Sequence, residues 1–242
     1  MKKVPLKIKA YIFFLLSLVA IGIVVSVGIQ NQKIKVRNTE AVLKLEKESK
    51  QEDEKRVLEV KKKEEEEEKK SQEKLKQIED EYQKGYKAFI SGQYSTAINI
   101  ENEVIAKDNI SYKAYNVKGI ATCYSNGNKF DEGMSYIDKA LELKPDYAYA
   151  RFNKALANEL FGHYEVALQL YDKALEVKDP VWDVWSYYGK ASIYGRYGDV
   201  VKAVENLKIA IDMDIAVKDI AAKEADFAKV RSSKEFQNLI NN

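Results

Sequence analysis

The 242-residue sequence has little of what catalytic and disulfide-stabilised proteins commonly use. With one cysteine, Cys123, and one histidine, His163, it cannot form an internal disulfide or a zinc site of the usual Cys and His composition. It also lacks G-x-x-x-x-G-K-[ST], G-x-S-x-G, H-E-x-x-H and C-x-x-C motifs. We therefore predict a protein that is not an enzyme and holds no cofactor or metal, with Cys123 in the core and His163 in a turn.

A surplus of charge of either sign is missing as well. The 40 Lys and Arg residues nearly cancel the 38 Asp and Glu residues. Because phosphate binding needs a basic surplus on one face, nucleic acid is not an expected partner. Hydrophobic residues make up 45% of the chain, which is enough for a packed core.

One uncharged apolar run, AYIFFLLSLVAIGIVVSVGI, occupies residues 10–29. As a helix it would be about 30 Å long, the thickness of a bilayer's hydrocarbon core. We predict a single-pass membrane anchor here, behind a basic cytoplasmic segment at 1–9. Four lysines before the run outweigh the three basic residues soon after it, which favours the cell membrane with the C-terminal domain on the extracytoplasmic side. Cleavage as a signal peptide near Gly28 is the alternative.

Residues 30–77 are dominated by lysine and glutamate, contain no glycine or proline, and include KKKEEEEEKK at 61–70. Such residues favour a helix supported by i,i+4 ion pairs. Apolar residues occur only in separated clusters, so a sustained heptad seam is absent. The pattern predicts a charged helical spacer, and a weak homodimer through residues 40–80 stays open.

From residue 78 the chain repeats itself. The string YIDKALELKPD at 136–146 returns as LYDKALEVKDP at 170–180, so that Asp138 and Asp172 are 34 residues apart. Such a period is typical of stacked units that cannot bury their apolar faces alone. Turn residues separate the amphipathic runs at Gly92, at Gly127 with Asn128, at Gly162 and at Gly198.

Each turn is followed by the same pattern of side chains. An aromatic or branched residue comes first, a small residue follows three positions later, and a second small or branched residue lies seven positions beyond. Small side chains at these places let two helices approach closely. The three sets are Tyr94, Phe130, Tyr164 and Val200; Ala97, Gly133, Ala167 and Ala203; and Val104, Ala140, Ala174 and Ala210.

This register resembles the tetratricopeptide repeat family. The copy at 114–147 has large, large, small, aromatic, large, small and proline residues where the family pattern expects them, at Val117, Ile120, Ala121, Tyr124, Ile137, Ala140 and Pro145. The other copies are 78–111, 148–181 and 184–217, and capping helices are expected at 218–242. With the two N-terminal segments, the resemblance implies an all-α protein: a transmembrane helix, a charged helical spacer, and an α-solenoid of about four helix pairs with a C-terminal cap.

Two helix boundaries carry recognisable signals. Asp179 is placed to cap a helix that begins at Pro180. Ser232 and Glu235 have the spacing of a capping box before the final helix. Phe236, Leu239 and Ile240 on that helix are expected to cover the open end of the solenoid.

The resemblance also implies a concave groove, lined by the first helix of each pair, in which family members hold peptide segments of partner proteins. We therefore expect a membrane-tethered interaction scaffold. A secreted or periplasmic chaperone-like protein and a structural oligomer joined by a coiled coil stay open. The groove positions are Tyr82, Tyr86, Phe89, Tyr115, Lys118, Thr122, Tyr149, Phe152, Asn153, Leu156, Glu159, Trp185, Tyr188 and Ser192.

One sub-family binds the C-terminal carboxylate of chaperones through a clamp of Lys, Arg and Asn. Here only Lys118 and Asn153 match the clamp positions, so the resemblance does not extend to that sub-family. We expect a partner segment held by aromatic packing and backbone hydrogen bonds instead. Alanine at Tyr115 and Phe152 is expected to weaken partner capture and leave the fold intact.

Overall fold

The computed structural model describes residues 5–125, 127 and 129–241. The chain divides into two units between Ser71 and Gln72. Every regular element within the described ranges is a helix, which confirms the predicted all-α class.

The first unit is the N-terminal part of helix α1, Leu6–Ile90. By length and composition its apolar stretch can span a bilayer, and none of its most apolar window is buried. In the charged region that follows, i,i+4 ion pairs join Lys44 to Glu48 at 3.8 Å and Arg56 to Glu52 at 2.8 Å. These pairs lie outside the run at 61–70, where the sequence pattern is densest.

The second unit contains four helix pairs. In the first pair, the C-terminal turns of α1 pack against α2. Each later pair packs internally and against the pair before it, and α3, α5 and α7 also contact one another in series. This arrangement is the predicted solenoid. The helices are α2, Tyr94–Lys107; α3, Tyr112–Tyr124; α4, Phe130–Leu143; α5, Ala148–Leu160; α6, Tyr164–Leu175; α7, Pro180–Tyr197; and α8, Val200–Met213.

Glycine makes the turn within each pair. The φ angles are 74° at Gly92, 103° at Gly127, 79° at Gly162 and 80° at Gly198. This left-handed region is open to glycine because it has no Cβ. The predicted turn glycines are confirmed, whereas Asn128 lies outside the described residues.

Small residues bring the two helices of a pair into contact. Ala97, Ala167 and Ala203 have no exposed surface. At the matching place in the second pair, a Cβ on Gly133 would lie 2.8 Å from the carbonyl oxygen of Gly119. Larger side chains at these four positions would force the helices apart and open voids beside them.

The recurring DKAL string has a structural explanation. Asp138 on α4 forms an ion pair with Lys154 on α5, and Oδ1 of the aspartate lies 2.7 Å from Nζ of the lysine. In the next repeat, Asp172 on α6 pairs with Lys190 on α7 at 2.6 Å. Because both aspartates are more than half exposed, each pair contributes about 1 kcal/mol or less. Their main effect is on the orientation of one helix pair against the next.

Helix α7 begins four residues before the predicted start of the fourth repeat at 184. The side chain of Asp179 accepts a hydrogen bond from the backbone N–H of Val181 at 3.1 Å, and Pro180 occupies the first helical turn. Proline is favoured there because N–H groups in the first turn have no acceptor within the helix, so that the absence of an N–H costs no hydrogen bond. The predicted cap is confirmed, and it extends α7 by a turn that includes Trp182.

The C-terminal segment closes the last pair. It forms α9, Val217–Lys223, a short 3₁₀ helix, Ala225–Phe227, and α10, Lys234–Asn241. Phe227 has no exposed surface and Phe236 is 1% exposed, while Leu239 and Ile240 are partly buried beside them.

The cap of α10 differs from the predicted one. Ser233, one residue later than predicted, accepts the hydrogen bond from the backbone N–H of Phe236 at 3.2 Å. The predicted pairing of Ser232 with Glu235 is therefore wrong. Because the helix begins at Lys234, its third N–H is that of Phe236, which is the donor an N-cap serine satisfies.

A buried carboxyl group interrupts the core of the first pair. Glu101 occupies the position of Ile137, Tyr171 and Leu207 in the later pairs, and it has no exposed surface. Neither of its oxygens has a hydrogen-bond partner among the described residues. Burial, with a smaller effect from the charge of Glu79, raises its pKa to about 9. The side chain is therefore protonated at neutral pH and weakens the first pair.

Glu101→Leu is expected to raise the free energy of unfolding by about 1–3 kcal/mol near neutral pH, because it removes a buried carboxyl without hydrogen bonds. The pKa of Glu101 is 4.5 in the unfolded chain and about 9 in the folded chain. The contribution of this pKa difference to the free energy of unfolding is therefore fully present below pH 4.5. It is lost as the pH rises to about 9.

The gain from Glu101→Leu should accordingly increase across that pH window. Thermal and urea unfolding of the full chain in detergent, followed by circular dichroism, measures it. Glu103→Leu, at an exposed position on the same helix, is the matched control. A gain that is the same near pH 5 and near pH 8 would contradict this account.

Candidate binding groove

Six of the fourteen predicted groove residues line one cavity of about 450 Å³ in the second unit. They lie on α5 and α7, the first helices of the third and fourth pairs. Spacings of three and four residues place them on one face of each helix. The six are Phe152, Leu156, Glu159, Trp185, Tyr188 and Ser192.

The other eight predicted residues lie outside the lining of this cavity. Four of them are at most 6% exposed: Tyr82, Thr122, Tyr149 and Asn153. The remaining four are partly exposed on α1 and α3: Tyr86, Phe89, Tyr115 and Lys118. Contact of these eight residues with a partner stays a prediction.

Several of the buried residues hold neighbouring pairs together. Asn153 on α5 donates from Nδ2 to Oδ1 of Asn116 on α3 at 3.0 Å. The ring of Tyr149 stacks on Trp182 with 3.8 Å between centroids. These contacts give Asn153 and Tyr149 a role in packing the repeats.

Phe152 also belongs to this packed layer, although part of it borders the cavity. It is 8% exposed, and its ring packs against Tyr171 and Trp182. Truncating such a buried aromatic to alanine costs about 3–5 kcal/mol. We therefore now expect Phe152→Ala to destabilise the fold, in contrast to the expectation from the sequence.

The rest of the cavity lining was not predicted from the groove positions. Tyr171 comes from the outer helix α6 and reaches the cavity because Gly189 leaves room for its ring. Glu224 and Asp226 follow α9, in a segment that no repeat position marks. The full set of additional lining residues is Tyr124, Leu160, Tyr164, Tyr171, Gly189, Arg196, Glu224 and Asp226.

A chain of polar contacts forms one side of the cavity. The hydroxyl of Tyr171 donates to Oε2 of Glu159 at 2.6 Å, and Ser192 Oγ lies 2.9 Å from Oε1 of the same carboxyl. Ser192 Oγ also contacts Oδ2 of Asp226, whose Oδ1 pairs with Arg196 at 2.6 Å. Residues of α5, α6, α7 and the C-terminal cap meet here.

Ser192 connects two carboxyl groups with a single hydroxyl hydrogen. Its oxygen contacts both Glu159 and Asp226, so the hydroxyl can donate to only one of them at a time. Burial raises the pKa of Glu159, despite hydrogen bonds from Tyr171 and Ser192 that lower it. The two carboxyl groups are therefore coupled through Ser192.

Known proteins share these repeats. The chain is 35% identical over 101 residues, 40% of its length, to TPR repeat-containing protein MJ0263 of Methanocaldococcus jannaschii. It also superposes on TTC0263, a thermophilic TPR protein in Thermus thermophilus, with a TM-score of 0.53 and 18% identity. That superposition covers 60% of this chain and 79% of the other. The second unit of this chain therefore has the fold of tetratricopeptide repeats.

The chain spans about a third or less of the length of the two curated relatives described here. The chain spans 32% of the Methanocaldococcus protein. It is 24% identical to the Hsp70-Hsp90 organizing protein of Triticum aestivum over 68% of its own length and 26% of the relative's. No family model matches the sequence.

The two residues of this chain that match carboxylate-clamp positions have contacts within the fold. The amide of Asn153 is hydrogen-bonded to Asn116, as described above. The ammonium of Lys118 lies 3.7 Å from the ring centroid of Tyr136 on α4.

Reactive side chains are not assembled at the cavity. Cys123 is buried between α3 and α4, and burial raises the pKa of its thiol to about 11. His163 is exposed at a turn, where its ring contacts Phe130. In the parts of the chain that the structure describes, no group of three or more His, Cys, Asp and Glu residues is arranged to hold a metal ion.

Gly189→Ala is expected to lower the free energy of unfolding by about 1–3 kcal/mol, because an added methyl group would overlap the ring of Tyr171. The new Cβ would lie 2.5 Å from the Tyr171 hydroxyl oxygen and 2.6 Å from Cε2. In a Tyr171→Leu background the cost should fall, since leucine, as at Leu207 in the fourth pair, does not reach as far.

A double-mutant cycle by urea unfolding of the full chain in detergent measures this coupling. The expected result is a smaller cost of Gly189→Ala in the Tyr171→Leu protein than in the natural one. The same cost in both backgrounds would show that the close contact at Gly189 does not limit the fold.

Proposed function

We propose that this protein is a membrane-tethered scaffold that binds segments of other proteins at its tetratricopeptide repeats. The observation that carries the proposal is the cavity between α5, α7 and the C-terminal cap. It combines a volume of about 450 Å³ with rings from Trp185, Tyr188, Tyr124 and Tyr164. Aromatic rings supply contact area at low entropic cost and are enriched where proteins bind one another.

The cavity suits a side chain of an inserted segment better than a small-molecule reaction. Its apolar walls and polar side form a recess of the kind that anchors a partner residue. Ser192 contacts carboxyl groups there, but among the described lining residues no histidine or lysine is present to act as its base. We therefore propose a binding role without catalysis.

The membrane tether is the N-terminal stretch of α1. None of its most apolar window is buried, and its helix is long enough to span a bilayer. More basic residues lie before the apolar run than directly after it. By the positive-inside rule, we propose a single pass with the repeats on the extracytoplasmic side.

Leu156→Ala with Trp185→Ala is expected to reduce partner capture at least about tenfold, since each removes a wall of the cavity and anchor residues contribute about 1–2 kcal/mol or more. In-cell crosslinking followed by affinity purification and quantitative mass spectrometry measures the loss. Val166→Ala with Val201→Ala, at exposed positions on α6 and α8, is the matched control.

Melting curves of both double variants show whether the fold is retained. Equal capture by the cavity variant and the control variant would contradict a binding role for this cavity. The test avoids Phe152 because its ring is part of the core.

Leu16→Lys with Val19→Lys is expected to move the protein out of the carbonate-resistant membrane fraction, because each lysine costs about 3 kcal/mol at the centre of a bilayer. Leu43→Lys with Leu45→Lys, at exposed positions of the charged region, should leave fractionation unchanged. Mass spectrometry of the mature N-terminus gives an independent result. A chain that begins near Ile29 would contradict the anchor and favour cleavage.

A further inference from the structure

The cavity between α5, α7 and the C-terminal cap carries an excess of acidic groups. Three carboxyl side chains line it: Glu159 from α5, and Glu224 and Asp226 from the cap. Among the described residues that line the cavity, Arg196 is the one cation, and its guanidinium pairs with Asp226 at 2.6 Å. The chain as a whole is nearly neutral, so this local excess is not a consequence of composition.

The walls of the same cavity are apolar and aromatic. Leu156 on α5 and Trp185 on α7 line it, together with Tyr124 and Tyr164. The ring of Tyr188 packs edge-on against Trp185, with 5.8 Å between centroids. Its hydroxyl is buried and has no hydrogen-bond partner among the described residues. An acceptor or donor brought by a ligand would satisfy it.

We propose that this cavity receives a lysine or arginine side chain of the bound protein segment. The proposal rests on the binding role proposed above and names the chemistry of the partner. The aliphatic stem of the side chain lies along Leu156 and Trp185, and its cationic head reaches the carboxyl groups of Glu159, Glu224 and Asp226. Long basic side chains suit this arrangement because their stems are apolar and only their ends are charged.

The lining disfavours the opposite charge. An acidic side chain or a C-terminal carboxylate would meet Glu224 and Asp226, and the one guanidinium present among the described lining residues is already paired. Aromatic faces add to the preference for a cation, at about 0.5–2 kcal/mol for each well-placed ring. The predicted carboxylate-clamp residues do not offset this preference, because Lys118 and Asn153 are engaged elsewhere.

Binding of a cation should also change the protonation of Glu159. The groups that face this carboxyl are Tyr171 on α6, Ser192 and Arg196 on α7, and Asp226 in the cap. Burial raises its pKa in the free protein, and a cation bound nearby would lower the pKa by favouring the charged carboxylate. Affinity for a basic segment is therefore expected to increase as the pH rises, and this increase requires Glu159.

The test uses the full chain in detergent and a phage-displayed library of random dodecapeptides. We expect the selected peptides to share a Lys or Arg. Replacing that residue by the uncharged norleucine in a synthetic peptide should weaken binding at least about tenfold by calorimetry. In the double variant Glu159→Gln with Glu224→Gln, the same replacement in the peptide should weaken binding less than about threefold. In the control variant Glu205→Gln, at an exposed position on α8, norleucine should weaken binding as much as it does with the natural protein.

The outcomes separate this inference from the function on which it rests. Suppose that binding of the selected peptides requires Trp185 but is not weakened when norleucine replaces their Lys or Arg. This result would overturn the preference for a cation and leave the binding role supported. Peptide binding that is unaffected by both Trp185→Ala and the carboxyl substitutions would overturn both. If Glu159→Gln lowers the melting temperature strongly, Glu224→Gln alone is used, because that side chain is partly exposed.

Discussion

Close contact between helices at small residues is the constraint on which the repeat unit depends. Each helix pair has an apolar face that it cannot bury alone, so a pair is stable only with a neighbour against it. Ala97, Ala167 and Ala203 have no exposed surface, and at Gly133 even a Cβ would be too large. The C-terminal segment is a necessary part of this arrangement, since Phe227 and Phe236 cover the face that the last pair would otherwise expose.

The same contacts build the candidate site. Tyr171 reaches the inner surface from an outer helix because Gly189 has no side chain, and its hydroxyl then orients Glu159. The cap that closes the solenoid also brings Asp226 to Ser192. Stability and binding are therefore coupled here, because the groups that line the cavity are held by the packing of the fourth pair. A partner would bind a surface that is already ordered by these contacts.

The sequence predicted which helix faces form the groove, but not which residues on those faces are accessible. The family resemblance placed Phe152, Leu156 and Glu159 in the groove, and the structure has all three at the cavity. It could not show that the ring of Phe152 packs against Trp182, because Trp182 lies in the turn by which α7 begins before the predicted repeat. Residue spacing defines the helix face on which a side chain lies. Its burial depends on which other parts of the chain pack against that face.

The sequence by itself determined the helical class, the turn glycines, the small residues at helix contacts and the repeat period. These features are local, since they depend on φ preferences and on spacing along one chain segment. Only the tertiary structure decided that Glu224 and Asp226 join Glu159 in one cavity, and that Glu101 is buried without a hydrogen-bond partner among the described residues. Contacts between residues far apart in sequence depend on how the pairs stack, and no short stretch of sequence contains that information.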